Sequence, residues 1–285
     1  MSALTTEEFS VYAKLIIDLT GIDLDSKKGY LIEMRLDPLV RELGLTGYSD
    51  LYYRIRNDSS GALARKVIDR ITTQETSFFR DRSPFEMLKF KILPELIDSR
   101  RGSFPAGSRI PLRIWSAAGS TGQEAYSILI AVKEALGDLS GFSVSLLVTD
   151  ISDSAIAYAS RGIYQPGEID RGMSPELLSR YFLPAAGGFR VRDDIRSLAT
   201  FKRWNLLDDF SRFGPFDVIF CRNVAIYFAE PEKRRLFDRL ERVLADDGSL
   251  VVGSTESLLG TGRSLEARRY HHSVYYRRPD KAVSV

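Results

Sequence analysis

The stretch RIWSAAGSTGQEAYSILI, residues 113–130, decides the fold. It is typical of a buried strand, then a tight turn with Gly119 and Gly122, then a helix whose apolar residues follow helical spacing. Small residues at such a turn leave backbone N–H groups open to a ligand. We therefore expect a nucleotide-like cofactor here, although the glycines lack the full spacing of the dinucleotide-binding fingerprint. The alternative is a strand-to-helix turn that binds nothing.

The composition is that of a soluble globular protein. Of the 285 residues, 44% are hydrophobic and 27% are charged, and the formal net charge of +2 does not indicate a nucleic-acid partner. No apolar run approaches the roughly 18 residues that a membrane span needs, and no signal peptide is recognisable. The single cysteine, Cys221, excludes an intramolecular disulfide and suits a reducing compartment. We predict a cytoplasmic protein without membrane insertion.

Three regions follow one another along the chain. Residues 1–75 carry helical apolar stripes and are predicted to form a helical N-terminal domain, with a linker at 76–110. In residues 111–285 strands alternate with helices, which indicates an α/β domain with a mostly parallel sheet. Its strands are expected at 112–117, 143–149, 217–221 and 249–253, with an antiparallel edge strand within 269–277. Its helices are expected at 123–136, 153–160 and 232–244.

Two prolines lie inside helical patterns. The second helix is predicted to carry the apolar residues Tyr30, Met34 and Leu36, and Pro38 should kink or end it. Pro94 should interrupt a helix of the linker in the same way.

The α/β alternation fails between Gly162 and Leu206. Short strands are expected there at 189–192 and 199–201. We interpret this region as a small β-subdomain inserted into the α/β domain at about 175–203.

Polar side chains follow the ends of neighbouring strands. Asp150 stands where doubly wound nucleotide folds hold the ribose hydroxyls, unless it only caps the next helix. Arg222 and Asn223 follow a later strand, and Tyr227 lies just beyond, either in the core or with its hydroxyl near the pocket. Glu124, in the first turn of its helix, either benefits from the helix dipole or contacts the ligand. Ligands of open α/β sheets bind at this edge, so a shared site is predicted.

The sequence lacks the residues that several kinds of catalysis require. The two histidines, His271 and His272, are adjacent near the end of the chain. The sequence therefore does not indicate a Ser-His-Asp unit, a Cys-His unit or a metal site of ordinary spacing. Cys221 is interpreted as a small buried hydrophobe rather than a nucleophile, because no histidine is near in sequence. We expect no metal, and a reaction that requires little acid–base catalysis.

Three segments resemble the CheR-type chemotaxis receptor methyltransferases, a family of protein-glutamate O-methyltransferases. They are ITTQETSFFRD (71–81), IWSAAGSTGQEAYS (114–127) and FDVIFCRNVAIYF (216–228). Weaker matches are DISDSAIAYASRGIY (150–164) and GSLVVGSTESL (248–258). The resemblance implies an α/β, Rossmann-like methyltransferase domain with a small inserted β-subdomain, preceded by an all-helical N-terminal domain. The implied reaction transfers a methyl group from S-adenosylmethionine to receptor glutamates, giving methyl esters and S-adenosylhomocysteine, for sensory adaptation.

The resemblance also implies the site residues. Contacts with the cofactor fall on Gln74, Thr76, Arg80, Glu124, Asp150, Asn205, Leu206, Arg222 and Asn223. Arg80 and Tyr227 match the catalytic positions that face the transferred methyl group and the acceptor carboxylate. The family usually has asparagine in place of Gln74, so that hydrogen bond is made by a longer side chain or is lost. A glutamate carboxylate is ionised near pH 7 and needs no base, so alignment and desolvation can supply most of the catalysis.

The implied partner is the cytoplasmic helical domain of a chemoreceptor, bound by a monomer of this chain. In some family members the β insertion holds a receptor's C-terminal peptide, but its turn here, 184–188, is short. We therefore predict methylation that is independent of a receptor C-terminal pentapeptide.

Other functions stay open at the level of sequence. One is a catalytically weak or inactive cofactor-binding module of a signalling array, for which Gln74 is the only support. Another is a methyltransferase for a small molecule or nucleic acid, which would need a closed substrate pocket or a continuous basic groove. An NAD-dependent oxidoreductase would share the fold, but its glycine fingerprint is missing.

Overall fold

The computed structural model describes residues 4–105, 107–258 and 264–279. The N-terminal helices are α1 Thr6–Thr20, α2 Gly29–Glu42, α3 Tyr48–Asn57 and α4 Ala62–Ile71. Thr5 and Glu8 form a capping box at the start of α1, and Gly21 ends that helix with a φ of 76°. The apolar faces of these helices pack into a core of their own, which includes Ile16, Ile32, Leu36, Leu51 and Val67.

Helix α2 contradicts two expectations. It continues through Pro38 to Glu42, so the helix does not end at the proline and that part of the prediction is wrong. Pro38 lacks the N–H that would bond the carbonyl of Met34, but Met34 is 60% exposed and water can satisfy that carbonyl. Tyr30 is exposed as well, so neither Tyr30 nor Met34 belongs to the buried stripe. The buried residues of α2 are Ile32, Leu36, Leu39 and Val40.

The linker continues as one helical segment. It consists of α5 Ser83–Met87, a π-helical turn Leu88–Ile92 and α6 Leu93–Arg100. The prediction that Pro94 interrupts this segment is wrong. Pro94 lies in the first turn of α6, and the π-helical turn before it takes up the irregularity in the hydrogen-bond ladder.

A seven-stranded sheet forms the centre of the larger part of the molecule. The strands along the chain are β1 Ile110–Ala117, β2 Phe142–Asp150, β3 Ile163–Tyr164, β4 Phe182–Ala185, β5 Gly188–Val191, β6 Ala199–Arg203, β7 Phe216–Cys221, β8 Leu244–Val252, β9 Glu266–Tyr270 and β10 Ser273–Arg277. The large sheet has the order β6-β2-β1-β7-β8-β10-β9. It is parallel from β6 to β8, and β10 is antiparallel to both of its neighbours. The remaining helices are α7 Gln123–Leu136, α8 Asp153–Arg161, α9 Pro166–Ile169, α10 Pro175–Tyr181, α11 Asp193–Arg196 and α12 Glu230–Arg242.

The inserted β-subdomain differs from its prediction in extent. Its small antiparallel sheet has the order β3-β5-β4 and therefore begins at Ile163 and ends at Val191. The strand predicted at 199–201 does not belong to it, because β6 pairs in parallel with β2 from Ala199 to Arg203. Assigning that strand to the insertion is wrong: its partner in the sheet is far away in sequence, and the local pattern of residues does not identify it.

The central strands end level with one another. Ala117 of β1 lies opposite Thr149 of β2 on one side and opposite Cys221 of β7 on the other. The turn after β1, Asp150 and Arg222 therefore meet at one edge of the sheet, where open α/β folds bind their ligands.

Candidate active site

The turn after β1 is shaped by close packing. A Cβ on Gly119 would lie 2.6 Å from Val148 Cγ1, and one on Gly122 would lie 2.7 Å from the hydroxyl of Tyr164. Gly122 has a φ of 96°, and Ala118 and Ser120 between the strand and the helix also have positive φ. The small residues are thus required by the backbone path itself, and the turn lies directly beside the ends of β2 and β7.

Asp150 is buried and fixes this turn. Its carboxylate accepts the backbone N–H of Ser120 and that of Ser152, each at 2.9 Å. Burial raises the pKa of Asp150, and these hydrogen bonds oppose that rise. The cap of α8 is Ser152, whose hydroxyl accepts the N–H of Ala155, so capping that helix is not the role of Asp150.

Arg222 joins three segments behind the pocket. Its guanidinium, in a side chain that is 1% exposed, donates to Glu124 at 3.0 Å, to Asp81 at 2.7 Å and to the carbonyl of Arg80 at 3.1 Å. Glu124 also accepts a hydrogen bond from Ser116 at 2.8 Å. Burial raises the pKa of Glu124, and the nearby charge of Arg222 opposes that rise. The arginine therefore positions α7 and the linker relative to each other.

The segment between α4 and α5 crosses the pocket. Gln74 accepts a hydrogen bond from the hydroxyl of Ser120 at 2.7 Å and donates to Thr72 at 3.0 Å, so its longer side chain reaches the turn after β1. Arg80 donates to the carbonyl of Glu75 at 3.1 Å, which folds the segment back on itself. Phe79, Asp81 and Arg82 all have positive φ, a strained arrangement that is common at functional sites.

The N-terminal domain forms one wall of the same pocket. The N–H of Asp23 donates to the carbonyl of Tyr227 at 2.8 Å, and Asn205 donates to the carbonyl of Leu19 at 2.9 Å. The pocket residues from α1, α2 and the loop between them are Thr20, Ile22, Asp23, Leu24, Lys28, Leu31 and Arg35. Our sequence interpretation missed this wall, because the residues in it form no motif and gain their role only from long-range contacts.

The structure brings together every residue that the sequence nominated. The residues that line the pocket include Gln74, Thr76, Arg80, Glu124, Asp150, Asn205, Leu206, Arg222, Asn223 and Tyr227. Tyr227 is 38% exposed, whereas Leu206 is buried. Among the described residues no group of three or more His, Cys, Asp or Glu side chains could hold a metal ion. No helix in the described ranges is long and apolar enough to cross a membrane.

The chemistry of this pocket fits S-adenosylmethionine. The buried carboxylate at the end of β2 suits ribose hydroxyls, a second carboxylate at the start of α7 suits a cationic amino group, and the narrow turn after β1 lets a ligand approach the backbone. Together with the sheet order and the antiparallel β10, these features define an S-adenosylmethionine-dependent methyltransferase.

Comparisons with known proteins agree with this class. The family model described as "CheR methyltransferase, SAM binding domain" matches residues 74–273, and the model described as "CheR methyltransferase, all-alpha domain" matches residues 7–72. The chain therefore belongs to the CheR methyltransferase family.

Curated relatives cover most of the chain. Chemotaxis protein methyltransferase 1 of Pseudomonas aeruginosa is 40% identical over 256 residues, which are 88% of this chain and 90% of the relative. Chemotaxis protein methyltransferase of Vibrio parahaemolyticus is 36% identical over 282 residues, 97% of this chain and 99% of the relative. A crystal structure of the carbon methyltransferase DszA aligns over 94% of this chain and 53% of its own, with 16% identity and a TM-score of 0.35.

Proposed function

We propose that this protein transfers the methyl group of S-adenosylmethionine to glutamate side chains of chemoreceptors. The products are glutamate methyl esters and S-adenosylhomocysteine. The observation that carries the proposal is that Arg80 and Tyr227 line the same pocket as Asp150 and Glu124, so a carboxylate acceptor and the cofactor can occupy it together. The relatives are chemotaxis protein methyltransferases by name, which supports a substrate in a chemotaxis pathway.

The residues that would hold the cofactor differ in chemistry. The carboxylate of Asp150 suits the ribose hydroxyls, and that of Glu124 suits the amino group of the methionine part. Asn205 and Leu206 would flank the adenine, and Gln74 and Thr76, in the segment between α4 and α5, would cover the cofactor. Asn223 would complete this set after β7. Arg222 would contribute mainly by holding Glu124 and the Arg80 segment, since its Nη donors are bonded to protein groups.

The protein's part in the reaction is alignment. When bound, the cofactor supplies an activated methyl group on a sulfonium. An acceptor glutamate is already ionised near neutral pH, so no general base is required. Arg80 would orient that carboxylate, and Tyr227 would lie beside it. The N-terminal wall, which is tied to Tyr227 through Asp23, would limit water around the reacting groups.

The partner and the domain limits belong to the same proposal. The acceptor would be the cytoplasmic helical domain of a chemoreceptor, which requires a cytoplasmic enzyme, and a monomer would suffice. We keep the limits 1–75, 76–110 and 111–285 for the helical domain, the linker and the methyltransferase domain. Strands β4 and β5 are joined by a turn of only Ala186 and Gly187, which supports independence from a receptor C-terminal pentapeptide.

A catalytically inactive module is not favoured. Its only support was Gln74, and that side chain reaches Ser120 at 2.7 Å. The relatives that cover almost the whole chain carry the names of methyltransferases.

The proposal is tested by incubating the protein with radiolabelled S-adenosylmethionine and membranes from its own host. Label is expected in receptor-sized protein bands and should be released by mild alkali, as an ester requires. Arg80→Ala should abolish most of the labelling. Alkali-stable label, or equal labelling by Arg80→Ala, would contradict the proposed reaction.

A further inference from the structure

Outside the pocket, a buried carboxylate holds the turn after β7. Glu256, just after β8, is 5% exposed. Its carboxylate accepts four backbone N–H groups, from Asn223 at 2.7 Å, Val224 at 3.1 Å, Ala225 at 2.8 Å and Gly253 at 2.8 Å. Three of these donors are consecutive in the turn that leads from β7 to Tyr227.

The four bonds require a carboxylate. Oε2 accepts the N–H groups of Asn223 and Gly253, and Oε1 accepts those of Val224 and Ala225. Each oxygen therefore serves two donors, and an amide in place of the acid would point its own NH₂ hydrogens at two of them in either orientation. Hydrogen bonds to an ionised acceptor are also stronger than neutral ones.

Gly253 and Asn223 pack closely around the carboxylate of Glu256. A Cβ on Gly253 would lie 2.6 Å from Glu256 Oε2 and 3.0 Å from Asn223 Nδ2, so only glycine fits between the acid and the turn. Asn223 has a φ of 56°, in the left-handed region that a non-glycine residue adopts only when its surroundings hold it there. The bonds from its own N–H and the next two to Glu256 supply that restraint.

We propose that Glu256 is a positioning residue of the methyl-transfer site. It does not line the pocket, but the turn that it holds carries Asn223, and the N–H of Tyr227 bonds the carbonyl of Val224 in the same turn at 3.2 Å. Glu256 therefore sets the direction of both pocket residues through their backbone. This inference rests on the proposed function of Asn223 and Tyr227.

The test compares Glu256→Gln with Asp217→Asn. Asp217 is a matched control: it is a buried acid at the opposite end of β7, where it accepts the backbone N–H of Arg113 and pairs with Arg100. Measured well below the Tm of each variant, Glu256→Gln should raise the Kd for S-adenosylhomocysteine about tenfold and lower kcat for methyl transfer by a similar factor. Asp217→Asn should leave both values within about twofold. Equal losses in the two variants would overturn the positioning role.

A double-mutant cycle separates this inference from the function on which it rests. If Glu256 acts through Asn223, adding Glu256→Gln to Asn223→Ala should raise Kd by less than about twofold further. A full tenfold addition would overturn the inference. Weaker binding by Asn223→Ala with unchanged binding by Glu256→Gln would overturn the role of Glu256 alone. An unchanged Kd for Asn223→Ala would contradict both the cofactor role of Asn223 and this inference.

Amide hydrogen exchange can be measured on the unmodified protein, so this test does not require a folded variant. The amides of Asn223, Val224, Ala225 and Gly253 should exchange as slowly as those within β7 and β8, because all four are bonded and held. Fast exchange at residues 223–225 would contradict the proposed restraint.

Discussion

Arg222 Nη1 lies 3.0 Å from Oε2 of Glu124, in an ion pair whose arginine side chain is 1% exposed and whose glutamate side chain is 13% exposed. The pair joins the turn after β7 to the first turn of α7. The same guanidinium reaches Asp81 and the carbonyl of Arg80, so the linker is held to this edge of the sheet as well. A single buried cation thus assembles three segments of the pocket.

Removing that cation should destabilise the protein. In Arg222→Met the carboxyl of Glu124 stays buried without its partner, and we expect the free energy of unfolding to fall by about 3 kcal/mol. The double variant Arg222→Met/Glu124→Gln should recover part of the loss, because the one carboxylate still left without its partner, Asp81, is 43% exposed to water. Urea unfolding of the three variants measures the effect. If the loss of unfolding free energy in the double variant equals the sum of the losses in the two single variants, the pair is not coupled and the prediction is wrong.

Substitutions at Asp150 and Arg80 should affect cofactor binding and methyl transfer differently. Asp150→Ala removes the carboxylate proposed for the ribose and should raise the Kd of S-adenosylhomocysteine about 30-fold or more. Arg80→Ala should reduce methyl transfer far more than cofactor binding, since its main proposed role is to orient the acceptor. Calorimetry beside a radiolabelled-methyl assay measures both. Survival of the cofactor affinity in Asp150→Ala would refute the assignment of Asp150.

Cofactor affinity should depend on pH in a defined direction. Burial raises the pKa of Asp150 and of Glu124, so in the free protein these groups begin to bind protons above the ordinary carboxyl range near pH 4. The ligand's hydroxyl and ammonium donors favour the ionised forms. Affinity for S-adenosylhomocysteine should therefore fall as the pH is lowered from neutral toward the ordinary carboxyl range, with protons released on binding.

Calorimetry in buffers of different ionisation enthalpy measures the released protons. Asp150→Asn, which cannot titrate at that position, should flatten the profile. An affinity that is constant across this range in the unmodified protein would contradict the raised pKa values.

A substitution at the opposite end of the sheet should lower the stability of the protein without weakening cofactor binding. Arg100 bridges Asp217 and Asp247 and donates to the carbonyl of Pro111, so Arg100→Met leaves a buried acid unpaired and should cost about 3 kcal/mol of unfolding free energy. The hydrogen bond from Arg100 lowers the pKa of Asp247, so its contribution is present at neutral pH and is lost as the pH falls through that lowered pKa.

Unfolding of this variant as a function of pH should show less acid dependence than the unmodified protein. Its Kd for S-adenosylhomocysteine should be unchanged, because the pocket lies at the other end of the strands. Weakened cofactor binding in the folded variant would contradict this separation.

The central part of the fold was predictable because its signals are local. The strand, turn and helix around Gly119 follow from hydrophobic periodicity and small residues, and the predicted helix 123–136 is observed as α7 Gln123–Leu136. Asp150 and Arg222 could be assigned to one edge because parallel strands end together. The pocket residues nominated from the family resemblance also lie together.

The rest depends on contacts between distant residues. Whether Pro38 breaks α2 depends on the solvent exposure of Met34, and the place of β6 depends on its pairing with β2. Glu256 lies in a segment with a visible family resemblance, but its four backbone partners come from another strand end and from its own turn. Such long-range hydrogen bonds cannot be predicted from the local periodicity of hydrophobic residues.

In the proposed reaction, the acceptor atom is a glutamate carboxylate oxygen of a chemoreceptor. The most direct measurement is mass spectrometry of a receptor cytoplasmic fragment from the same host, after incubation with this protein and S-adenosylmethionine. We predict added methyl groups on glutamate residues, removed by mild alkali and mostly lost when Arg80→Ala replaces the unmodified protein. Methyl groups found on lysine, arginine or cysteine, or on no receptor residue at all, would contradict the account.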